Sequence, residues 1–253
     1  MDVKIARISS LIAFVLMLAV NYLANALPLN NLTTGQVSDL YPSLFTPASI
    51  TFSIWAVIYL MLLVVCIFQF VKNTRKLDAL VLWAFIVSCL LNASWVFAWH
   101  YKQLLLSMVI ILSFLGVLIV INFKLAGETF GPAKAAFGVY LGWICVAVIA
   151  NAAALLVGLN WGRLGVTEVT WTILMVFAAT IISVLSIFRF KNPFIGISVI
   201  WGFAGIALKR RDDFHSIAIA AVCGMLIVTL ASVYGFLKKP RDGSSNAVNK
   251  VRT

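Results

Sequence analysis

Apolar residues fill this chain in long blocks, and the polar residues gather between them. The blocks lie at about 7–27, 49–71, 79–99, 104–123, 135–157, 168–188 and 215–237. Each comes near the roughly 20 residues that an α-helix needs to cross about 30 Å of hydrocarbon. A shorter block, Phe194 to Leu208, sits between Asn192-Pro193 and Lys209-Arg210-Arg211. As a helix its 15 residues rise only about 22 Å, so it either spans with snorkelling flanks or re-enters. The pattern predicts an all-α, polytopic transmembrane bundle with seven or eight helices.

Charge placement favours eight. With the N-terminus inside, Lys4, Arg7, Lys72, Arg75, Lys76, Lys124, Lys134, Arg189, Lys191 and the basic tail all fall on the inner side. The first outer loop, Pro28 to Ala48, then carries Asp39 and no Lys or Arg, as the positive-inside rule expects. Seven spans would put Lys238, Lys239, Arg241, Lys250 and Arg252 outside. The cluster Lys209-Arg210-Arg211 sits on the wrong side of the eight-span arrangement and is only partly offset by Asp212 and Asp213. The expected location is the cell membrane, multi-pass, with both termini cytoplasmic.

Composition agrees with a membrane class. The chain is 63% hydrophobic and 11% charged, with a mean hydropathy of +1.06. In water such a chain could not hide its apolar surface, whereas in lipid each backbone polar group is satisfied within a helix. The net charge of +11 comes mostly from loops and tail, where anionic headgroups attract it. Nucleic-acid binding is not expected, because no folded basic surface exists to carry it. Lys4, Arg7 and Ala24-Asn25-Ala26 imitate a cleaved secretory signal around the first block. Cys66, Cys89, Cys145 and Cys223 lie singly in four helices and read as small buried hydrophobes rather than metal ligands or disulfides.

The membrane interior lacks ionisable groups. All eight acidic residues lie in loops, tails or helix ends, and no Lys or Arg is mid-span. Proton-coupled pumps and ion channels usually need buried charge, so an ion-coupled transporter is disfavoured, as are carboxylate-pair and Ser-His-Asp chemistry. What remains inside is ring, amide and hydroxyl: Trp55, Tyr59, Asn92, Ser94, Trp95, Trp99, Tyr140, Trp143 and Asn151. Tyr140, Trp143, Ala147 and Asn151 fall at relative positions 0, 3, 7 and 11, one face of a helix. Such a lining suits a flat, apolar ligand held by stacking and a few hydrogen bonds. For Asn92 and Asn151, interhelical hydrogen bonding accounts for the amides as well as ligand contact does. Pro47 is expected in the first turn of the second helix.

Three motifs in order resemble the tryptophan-rich sensory protein (TspO-like) family. Tyr41-Pro42-Ser43-Leu44-Phe45-Thr46-Pro47, followed by Trp55 and Tyr59, looks like that family's loop leading into W-x-x-x-Y. Leu91-Asn92-x-x-Trp95 looks like its third-helix L-N-x-x-W, and Tyr140-Leu141-x-Trp143-x-x-x-Ala147-x-x-x-Asn151 like its fifth-helix pattern. Leu44, Thr46, Ser49 and Ser88 stand where the family usually has Trp, Pro, Trp and Gln, so the loop is less aromatic. The resemblance covers roughly residues 1–160 and requires the first helix to stay. It implies a five-helix TspO-like domain at 1–160; the later apolar blocks make additional helices at 161–237, and the composition of 238–253 reads as a disordered basic tail.

The resemblance further implies a ligand site of Trp55, Tyr59, Asn92, Trp95, Tyr140, Trp143, Ala147 and Asn151, under a lid containing Pro42, Phe45 and Pro47. Trp55 and Trp143 would stack on the ligand and Ala147 would leave room for it. No cofactor is required. A porphyrin or haem-like molecule is the expected ligand, and the bilayer and a homodimer the expected partners. The implied role is a sensor, scavenger or passive carrier. A transporter of small hydrophobic solutes and a porphyrin-modifying enzyme using Trp residues stay open beside it.

Overall fold

A computed structural model describes residues 3–27 and 29–238. The described residues form helices and turns, with no strand among them. In chain order the helices are α1 (Val3–Ala26), α2 (Thr34–Asp39), α3 (Ile54–Phe68), α4 (Ala79–His100), α5 (Leu104–Lys124), α6 (Pro132–Gly158), α7 (Glu168–Arg189), α8 (Ile195–Arg210) and α9 (His215–Leu237). The first long loop is not wholly irregular. Thr33 and Gln36 form a reciprocal capping box that starts α2. Pro47 lies outside the second spanning helix rather than in its first turn: Ala48 is the N-cap, a 3-10 segment Ser49–Ser53 follows, and α3 continues from it. Asp78 caps α4 through Val81 N–H at 2.8 Å, and Thr167 caps α7.

α1, α4, α5, α6 and α3 pack in that order into a ring, whose seam between α1 and α3 is only lightly packed. α7, α8 and α9 form a second group that docks on the outside of α6, chiefly through α8. Seven helices are long and apolar enough to cross a membrane. α8, at 16 residues, is shorter but also runs from one end of the bundle to the other. At its start, Asn192 donates to Asn122 Oδ1 and to Lys134 O, both at 2.9 Å. At its finish, Arg210 donates to Leu44 O at 3.0 Å and Ser43 O at 3.1 Å. α8 therefore runs the height of the bundle beside the seven longer helices, and α1 starts at the face where α9 finishes.

That terminal face is the basic one. Arg7 sits near Lys76, whose ammonium is held below the usual lysine range by partial desolvation and then by the Arg7 charge. Phe130, Phe194 and Phe236 meet edge to face on the same side. Arg75 pairs with Glu128 there. The cluster Lys209-Arg210-Arg211, anomalous by charge placement, lies at the far face for a structural reason. Arg210 is 9% exposed, holds two loop carbonyls and pairs with Asp213 at 3.4 Å. The tail beyond Lys238 lies outside the described residues.

Glycines let α8 come close to α6. A Cβ on Gly138 would meet the Asn192 amide at 2.7 Å, and one on Gly142 would meet Ile195 O at 2.1 Å. Ser198 Oγ donates to Val139 O at 2.7 Å across the same contact. In lipid no hydrophobic force drives two helices together, so close backbone approach and such hydrogen bonds supply the association. Gly142→Ala is accordingly expected to cost about 1–3 kcal/mol by overpacking, read as a lower melting midpoint in detergent. Gly116→Ala, where a Cβ meets nothing within 4 Å, is the control and should not lower it. Equal midpoints for the two variants would refute this packing.

Candidate functional site

The aromatic stripe of α6 faces into the ring. Trp143, Ala147 and Asn151 line a small cavity of about 40 Å³, closed on the α4 side by Trp95 and Trp99 and on the α3 side by Phe52 and Trp55. Its roof is the loop and α2, through Thr34, Ser38, Thr46 and Pro47. Trp55 stands edge-on to Trp143 at 6.1 Å and 87°, and Trp95 stacks on Trp99 at 5.6 Å and 18°. Both geometries are favourable for aromatic quadrupoles. Trp143 is 2% exposed, yet its indole N–H has no acceptor. A buried donor without a partner costs about 1–3 kcal/mol, so this indole at the cavity wall is short of one acceptor.

Trp55 also forms the wall of a second space. A groove of about 760 Å³ opens sideways at the α1–α3 seam, lined by Leu18, Asn21, Tyr22 and Asn25 of α1 and by Phe52, Trp55, Ala56 and Tyr59 across it. Thr34 and Trp95 border both spaces. The cavity and the groove are thus neighbours on the two sides of one indole.

The remaining stripe residues sit behind these walls. Asn92 accepts from Asn21 Nδ2 at 2.7 Å and donates to Tyr140 OH at 3.0 Å, joining α1, α4 and α6. Tyr140 is fully buried and its hydroxyl also points at Met17 Sδ, 3.8 Å away. Neither Asn92 nor Tyr140 lines the cavity or the groove. Asn151 does line the cavity, but Oδ1 accepts from Trp95 Nε1 at 3.0 Å and Nδ2 donates to Ser107 Oγ at 3.0 Å. Of the loop residues, Pro47 touches the cavity, Phe45 is fully buried and Pro42 is exposed. Ser94 faces outward.

Phe52, Thr34 and Ser38 belong to the site and carry no signal within the loop and helix motifs. Trp99 could be paired with Trp95 from its i, i+4 spacing alone. The lid is clamped from both sides of the chain: Glu168 accepts from Leu44 N–H at 3.3 Å, while Arg210 holds the carbonyls of Ser43 and Leu44. Trp99 Nε1 donates to Thr34 O at 3.1 Å and Trp201 Nε1 to Thr51 O at 2.9 Å, tying the loop to α4 and α8. No cluster of His, Cys, Asp or Glu that could hold a metal occurs among the described residues. The four cysteines are free. Neither space is lined by His, Cys, Asp, Glu, Lys or Arg, and the rings, amides and hydroxyls that do line them suit binding by shape, stacking and hydrogen bonds.

The Asn92 network predicts a structural phenotype. Asn92→Ala removes both interhelical bonds and leaves Tyr140 and Asn21 short of partners, a loss of about 1–2 kcal/mol. Thermal unfolding in detergent should show a lower midpoint for Asn92→Ala and an unchanged one for the outward-facing Ser94→Ala. An unchanged midpoint for both would mean the network contributes nothing.

Neither the curated proteins nor the solved structures yield a match to this chain. A family model does: the one described as TSPO-like protein matches residues 7–234. The match runs from α1 through α9, so the last three helices lie within the extent of the family and not beyond it. With a ring of five helices around a tryptophan-lined cavity, and a match over nearly its whole length, the chain belongs to the TSPO-like protein family.

Proposed function

We propose that this multi-pass membrane protein binds a flat, largely apolar ligand of the porphyrin or haem-like class in the α1–α3 groove, against Trp55. The observation that carries the reading is the shared indole wall. A groove of about 760 Å³ falls within the roughly 300–1,000 Å³ typical of ligand sites, whereas the inner cavity of about 40 Å³ is too small for a ring system. The ligand lies on Trp55 and Tyr59, with Asn21, Asn25 and Thr34 available for its polar groups. Swinging the Trp55 indole would join groove and cavity, and an acceptor on the ligand could then meet the free Trp143 N–H. Ala147 leaves room at that point, and Asn151 holds Trp95 in place.

The ligand is cargo or signal, not a resident cofactor, and the role is that of a sensor, scavenger or passive carrier. The excess of Lys and Arg at the terminal face supports a cell-membrane orientation with both termini cytoplasmic.

Titration of detergent-purified protein with protoporphyrin IX, followed by quenching of tryptophan fluorescence, tests the reading. Wild type should quench saturably. Trp55→Ala should weaken the apparent affinity roughly ten-fold, as expected for losing a stacked ring and its area. Ala147→Leu, which fills the inner cavity, should weaken it less if the ligand sits mainly in the groove. Equal affinity in all three proteins, or quenching that never saturates, would refute the site. Equal wild-type binding together with flux of the porphyrin into proteoliposomes would favour the carrier role over sensing.

A further inference from the structure

A hollow lined by charged side chains lies far from the aromatic site. It lies at the terminal face, between the α3–α4 turn and the α5–α6 turn, with a volume of about 360 Å³. Four cationic side chains line it: Arg75, Lys76, Lys124 and Lys134. The two acids beside them, Asp78 and Glu128, are already engaged. Asp78 caps α4, and Glu128 pairs with Arg75 across the mouth. Lys134 is 2% exposed and spends its ammonium on the carbonyls of Ala126 and Glu128, while Lys76 holds those of Phe68 and Val71. Carbonyl dipoles orient these charges without cancelling them. Lys124 has no hydrogen bond or ion pair among the described residues.

The first turn of α6 opens into the same hollow. Gly131 is its N-cap and no side chain caps it, so the N–H groups at its start lack the partner that Asp78 gives α4. These groups and the helix dipole favour a negative charge at this spot. Apolar side chains also line it: Val65, Val81 and Leu125 are buried and Phe68 is exposed. A net positive rim, an uncapped helix start and an apolar floor at a membrane–water boundary together define an amphiphile's site.

We propose that this hollow binds a phosphate group, supplied by the headgroup of an anionic phospholipid whose glycerol region rests on the apolar floor. Arg75 and Lys124 contact the phosphate oxygens from the two turns, Lys134 supplies charge from within, and the α6 amides complete the shell. A free phosphate would satisfy the rim alone.

The test uses a variant expected to fold. Gly131 has φ −160° and ψ 176°, an extended conformation open to any residue, and a Cβ there meets nothing within 4 Å. Gly131→Asp therefore supplies the missing N-cap and places a carboxylate where the phosphate would sit. Full-length protein is melted in neutral detergent with dioleoylphosphatidylglycerol, with dioleoylphosphatidylcholine, or with inorganic phosphate against chloride at equal ionic strength. Without lipid, Gly131→Asp should melt at or above the wild-type temperature.

Phosphatidylglycerol should stabilise wild type saturably and phosphatidylcholine should not. Gly131→Asp and Lys124→Gln should weaken that response roughly ten-fold, in line with the loss of charge-assisted bonds. Lys238→Gln, a like change of charge elsewhere on the terminal face, should keep it. Saturable stabilisation by inorganic phosphate, equally lost in Gly131→Asp, would keep the phosphate site and assign it to a soluble source. A response to phosphatidylglycerol that Gly131→Asp leaves intact, or no response to any phosphate, would overturn the proposal.

Discussion

α6 has to be buried on two opposite sides at once, and the rest of the bundle is arranged around that demand. Tyr140, Trp143, Ala147 and Asn151 face the ring, while Gly138 and Gly142 lie two residues to either side of Tyr140, roughly 200° around the helix. One face needs bulk, because rings must fill the space among four neighbours. The other needs its absence, because α8 brings Ile195 O to within 2.1 Å of where a Cβ on Gly142 would stand. A soluble helix would answer such crowding with large apolar side chains driven from water. In lipid that force is missing, so contact comes from backbone approach and from polar bridges such as Ser198 to Val139 O. The Asn192 amide, wedged over Gly138 and bonded to both Asn122 and Lys134 O, pins the start of α8 at this junction.

Much of this was legible from the chain because the bilayer imposes a strict length and polarity filter. The long blocks became α1, α3, α4, α5, α6, α7 and α9, within a few residues at each end. The block at 194–208 was ambiguous by length. What resolves it is tertiary: Arg210 at one end and Asn192 at the other have partners distant in sequence, which no local pattern encodes. The same holds for the basic cluster at 209–211, whose placement follows from the loop carbonyls it holds and not from a charge rule. Gly138 and Gly142 form a spaced small pair that periodicity could have flagged. The ring-bearing face of the same helix carries the stronger signal, because glycine adds nothing to an amphipathic stripe.

The stripe itself was readable as a face, but a face does not say which side chains border empty space. Trp143 and Ala147 border the cavity, while Tyr140, on the same line, is fully buried. Tyr140 and Asn92 reach α1 through Asn21, so their chemistry is spent on holding the ring closed. Pro47 illustrates the opposite case. Its fixed ring suits a helix start by sequence, and the chain instead uses it as part of the roof, with a 3-10 turn separating it from α3. Turn geometry of that kind depends on Trp201 and Gly205 of α8 holding Thr51 O and Ala48 N–H, contacts about 150 residues away in the chain.

The light packing between α1 and α3 has a thermodynamic consequence. The roof is fastened by Arg210, Glu168, Trp99 and Trp201, so the least obstructed way in is from the side, through hydrocarbon. For the ligand proposed above, entry by that route would be an exchange with the acyl chains of the surrounding lipid, one oily occupant for another. The relevant concentration is the mole fraction of a solute in the membrane rather than its molarity in water. A compound that partitions strongly would therefore look tight-binding in an aqueous titration even with modest intrinsic preference over lipid. Changing acyl length or unsaturation would shift its apparent affinity without altering a single residue.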